Sequence, residues 1–61
     1  MTAEKENLIA TIEYLADKIS RERGAAVAES VFDFYGVTDL TSLSEGDLWN
    51  VYGDLHQIDA D

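Results

Sequence analysis

The sequence predicts an all-α fold, a small three-helix domain, on three observations. In three separate segments, apolar residues recur at steps of three and four, the period of a helix. Glycines and cap-forming residues stand where those segments stop and start. No stretch alternates apolar with polar residues as a half-buried strand does, and the chain contains no proline. At 61 residues it makes one domain, residues 1–61, near the lower size limit for folding alone.

The first helix is expected over about residues 3–22, with Thr2 as N-cap and Glu4 and Glu6 in the first turn, where negative charge suits the helix dipole. Leu8, Ile12, Leu15 and Ile19 step by four, three and four, and Ile9 and Ala16 widen the same stripe. Asp17 and Arg21 form a favourable i, i+4 pair on the back, and Gly24 breaks the helix. Tyr14 points away from the stripe, either simply exposed or at a contact between copies.

The second helix is expected over about residues 25–35. Val27, Ala28, Val31, Phe32, Phe34 and Tyr35 cover close to half its circumference, with Glu29, Ser30 and Asp33 outward. So apolar a helix is expected to be central, packed against both neighbours. Gly36 followed by Val37 reads as a Schellman stop. The connector through residues 38–43 is expected to hold one short helical turn, with Leu40 and Leu43 on the core. Ser44 then caps a third helix over about residues 45–58, with Asp47 at N3 imitating a capping box. Leu48, Val51, Tyr52, Leu55 and Ile58 make its inner face.

Composition removes several function classes. The chain has no cysteine, which excludes disulfides and thiolate metal sites, and a single histidine cannot build a zinc site, so no cofactor is expected. Lack of cysteine and a mixed-charge opening over residues 1–10 suit a cytoplasmic protein without a signal peptide. No apolar run approaches the roughly 20 residues of a membrane span. Catalysis is not expected: a general acid–base pair needs a cleft that shifts pKa values, and so small a bundle has little interior to supply one.

Charge is the strongest functional pointer. All four cations, Lys5, Lys18, Arg21 and Arg23, lie in the first 23 residues, where five acids nearly balance them. The remaining 38 residues carry eight acids and no base, so most of the net charge of −9 sits there. A one-sign field repels nucleic acid and anionic membranes and attracts basic protein surfaces. On the third helix, Asp47, Asp54 and Asp61 form a row at seven-residue spacing, rising about 10.5 Å per step. Glu29 and Asp33 on the second helix extend the acidic surface, whose bland alternative is a solvated face that keeps the chain soluble.

Trp49, Gly53 and His56 step by four and three along one side of the third helix. Either Trp49 closes the small core, or it anchors a partner on a surface that Gly46 and Gly53 leave shallow. His56 falls at the border of the core face, its ring packed and one nitrogen in water; a ligand or pH-sensing role is the alternative.

The stretch Tyr35-Gly36-Val37-Thr38-Asp39-Leu40-Thr41-Ser42-Leu43-Ser44, followed by Leu48 and Val51, resembles a helix–connector–helix pattern of small phage and prophage proteins. The short, acidic, cysteine-free helical profile is likewise similar to phage inhibitors of host defence, among them anti-restriction and anti-CRISPR proteins. That resemblance implies an inhibitor that acts as a DNA mimic, and it assigns no residue a role. Together these features lead us to expect a non-enzymatic protein whose acidic half, through Glu29, Asp33, Asp47, Asp54, Asp61, Trp49, Gly53 and His56, docks onto a basic surface of a protein partner. The alternative is an assembly module that forms a homodimer or a hetero-oligomer through apolar helical surface around Trp49.

Overall fold

The computed structural model describes residues 2–60, arranged as α1 (Ala3–Arg23), α2 (Ala25–Tyr35), one 3-10 turn (Leu40–Ser42) and α3 (Glu45–Ala60). Among these residues there is no strand, so the all-α three-helix expectation holds. No helix among the described residues is long and apolar enough to cross a membrane.

The caps follow the local chemistry. Thr2 accepts from the Lys5 amide at 3.1 Å and starts α1. Gly24 ends α1 and begins α2 at φ 103°, a left-handed-side conformation that a side chain would strain. Gly36 takes φ 66°, its amide donating to the Asp33 carbonyl and the Val37 amide to that of Phe32, the paired bonds of a Schellman stop. The Asp47 amide donates to Ser44 Oγ at 3.2 Å, but no bond from the Ser44 amide to the Asp47 carboxylate completes the box; Asp is one methylene shorter than the usual Glu.

The core is wholly apolar: Leu8, Ile9, Ile12, Leu15 and Ile19 from α1, Ala28 and Val31 from α2, and Leu48, Val51 and Leu55 from α3. Leu40 and Leu43 of the connector, with Ile58 and Tyr52, lie half-buried against it. Half of these core residues belong to α1, which corrects the expectation that helix 2 is central. The reason is length. At 1.5 Å per residue the 21 residues of α1 run about 31 Å, the full length of the molecule, whereas the 11 of α2 run only about 16 Å. α2 returns along the C-terminal half of α1, and the connector covers the other half. There Lys5 Nζ donates to the Thr41 carbonyl at 3.2 Å. α3 then runs parallel to α1, tied at the far end by Lys18 Nζ, which lies 3.0 Å from Asp59 Oδ1 and 3.1 Å from Oδ2.

Candidate interaction surfaces

Two shallow grooves flank α3. On the α1 side, Trp49 and Tyr52 face Glu4, Asn7, Leu8 and Thr11. Trp49 is 57% exposed, so it does not close the core. Its ring meets Tyr52 edge-on at 5.6 Å, and Tyr52 in turn meets His56 at 5.7 Å. These three side chains form an aromatic ladder up one flank of α3, because positions 49, 52 and 56 recur at helical spacing. His56 is exposed, with its ring packed on Tyr52 as a boundary histidine's would be.

On the α2 side, Ser30, Val31 and Phe34 face Asp54, Gln57 and Ile58. Phe34 is 80% exposed, against the expectation that it belongs to the apolar cover of the core. At about 100° per residue Tyr35 falls nearly in line with the buried Ala28 and Val31, whereas Phe34 points about 90° away from them. Tyr35 takes the inner position, meets Phe34 edge-on at 5.1 Å, and donates its hydroxyl to Asp54 Oδ2 at 2.6 Å. That hydrogen bond, burial, and the charges of Asp54 and Asp47 hold the Tyr35 hydroxyl above the ordinary tyrosine range. Asp47, seven residues before Asp54 on α3, lies on this same flank by helical period.

The residues expected to make one partner surface are therefore divided between two. Asp47 and Asp54 belong to the α2 flank, whereas Trp49 and His56 belong to the α1 flank. Gly53 lies exposed between them, and Glu29 and Asp33 stand on the outward face of α2. Asp61 lies outside the described residues. Asp54 is not a freely solvated carboxylate as a simple acidic row implies; Tyr35 restrains it.

The cations are largely engaged within the chain. Lys18 is held by Asp59, whose hydrogen bond and charge raise the lysine pKa above its ordinary value, and Arg21 pairs with Asp17 along α1. Three residues that sequence reasoning missed carry this architecture: Phe34, Tyr35 and Asp59. Helical spacing was a usable signal, since Tyr35 falls in line with Ala28 and Val31 while Phe34 falls about 90° away. No sequence pattern pairs Lys18 with Asp59 across 41 residues.

Among the described residues no three His, Asp or Glu side chains converge as a metal site needs. No family, curated protein or solved structure matches the chain.

Proposed function

We propose that this is a non-enzymatic binding protein whose acidic α2–α3 side docks onto a basic surface of another protein. The observation that supports it most is the segregation of charge. Every cation of the described residues sits on α1, with Lys18 and Arg21 already in ion pairs, while α2 and α3 present Glu29, Asp33, Asp47 and Asp54 with no base between them. Ordinary solvated faces mix signs. Basic surfaces that bind nucleic acid are the class such a field fits, which is the phage-inhibitor form of the proposal, with the protein standing in for a polyanion. Lack of cysteine supports a cytoplasmic setting.

Capture of partners from host lysate, at about 0.05 and 0.5 M salt, tests the reading. Binding that collapses at high salt, and that weakens on replacing Asp33 and Asp47 together by Asn, is the expected result. Binding indifferent to both sinks it. A second reading, assembly through the aromatic ladder, has its own support in the 57% exposure of Trp49. It expects a dimer in sedimentation that Trp49→Ala abolishes and salt does not.

A further inference from the structure

We propose that the groove between α2 and α3 seats a basic amphipathic helix of the partner protein, with an apolar side chain of that helix laid against Phe34. This rests on the acidic-docking reading above, and adds the seat and the form of what occupies it. A single exposed phenylalanine is ordinary on a protein surface. Here the ring forms one wall of a groove whose other apolar members are Val31 below and Ile58 opposite. Among the described residues Phe34 is the most exposed of the large apolar side chains, at 80%.

Charge selects the occupant. Asp54 lies in the groove, Asp33 directly precedes Phe34, and Asp47 stands two helical turns before Asp54 on the same flank. No Lys or Arg lines it. An acidic segment or a nucleic acid is repelled, and a second copy of this chain, at net charge −9, brings mostly the same sign. Asp54 is also oriented in advance: Tyr35 occupies its Oδ2, and Oδ1 has no hydrogen-bond partner among the described residues, leaving it for an incoming ammonium or guanidinium.

Geometry selects the form. The walls are two antiparallel helices whose backbone groups are already paired, and the described residues offer no sheet edge to which an extended peptide could add. A helix instead reaches such a groove with side chains at i, i+3 or i+4, and i+7. The roughly 16 Å length of α2 matches about three turns.

The test uses the full chain and labelled synthetic peptides of about four helical turns. One carries a leucine stripe on a Lys/Arg background, one has the same composition with the stripe scrambled, and one keeps the stripe on a Glu background. Fluorescence anisotropy at low salt should show the striped basic peptide binding about tenfold tighter than the scrambled one, and no binding of the Glu peptide. Phe34→Ala, an exposed change checked for folding by circular dichroism, should weaken the striped peptide about tenfold and leave the scrambled one unchanged; Trp49→Ala should alter the binding of neither peptide. Backbone amide shifts should gather on Ser30, Phe34, Gln57 and Ile58. If both basic peptides bind equally and Phe34→Ala is silent, the groove is not the seat, although acidic docking survives. Shifts centred on Trp49, or a dimer that Phe34→Ala dissolves, also overturn the proposal. If neither basic peptide binds even at low salt, the acidic-docking reading falls with it.

Discussion

Gly53 stands within α3 at helical backbone angles, and a Cβ placed there meets no atom within 4 Å. Nothing inside this chain requires glycine at that point, so Gly53→Ala should stabilise the domain by about 1 kcal/mol. That corresponds to a rise of roughly 4–8 °C in Tm for a domain of this size. Thermal melts followed by circular dichroism check it, and an unchanged or lower Tm would refute it. A second residue-scale outcome concerns Tyr35. Its hydroxyl donates only while protonated, so its bond to Asp54 supports the fold fully below the ordinary tyrosine pKa of about 10 and is lost as pH climbs through the raised value. Absorbance titration should show one component above the usual tyrosine range that Tyr35→Phe removes; its persistence in the variant would break the assignment. Asp39 behaves in the opposite sense. The Thr41 hydroxyl and amide hold its carboxyl below the ordinary range, and that support is lost only as pH falls through the lowered value. Side-chain pairing across helices was the least legible level in the sequence. Helical spacing placed Leu48, Val51 and Leu55 inside and favoured Tyr35, nearly in line with Ala28 and Val31, over Phe34, but it could not show the bond that Tyr35 makes to Asp54 on another helix.

At the scale of elements, α1 organises the fold, so damage there should be the most severe. Ile12 and Leu55 are fully enclosed, and replacing either by Ala should cost about 2–5 kcal/mol. A single core of this size supplies only about 3–5 kcal/mol, so either change should leave the chain largely unfolded. Chemical denaturation should separate these from Phe34→Ala, expected within about 0.5 kcal/mol of the parent because its ring is mostly in water. Equal melting of Ile12→Ala and the parent would refute the core assignment. Element boundaries were highly legible. Thr2, Gly24, Gly36 and Ser44 all act where their chemistry pointed, because capping is decided by neighbours within a few residues. The order of importance among helices was not. Apolar breadth suggested that α2 lies at the centre, yet breadth says nothing of reach, and an 11-residue helix cannot cover a 21-residue one.

Across the whole molecule, like charges outnumber ion pairs. Screening should therefore relieve more repulsion than it weakens attraction, and Tm should rise between about 0.01 and 0.2 M salt. A protein held together by its ion pairs would show the reverse, so a falling Tm would contradict this account. Direct binding to DNA or RNA should be undetectable at physiological salt, and a gel shift at micromolar protein would overturn that expectation. Both outcomes rest on charge totals that the sequence states outright. The Asp17–Arg21 pair was legible too, from its i, i+4 spacing; what the sequence could not state is that Asp59 engages Lys18, and the two pairs together strip the basic end of much of its reach.

Charge that is separated in space also sets a direction. The exposed Arg21 and Arg23 end α1, while Phe34 lies about 13.5 Å along α2 from its start beside that end. Near a basic partner such a molecule feels a torque as well as a pull. It turns before it touches, bringing the α2–α3 groove forward and the arginines to the rear. Encounters then arrive already aligned, and added salt should slow association far more than it hastens release.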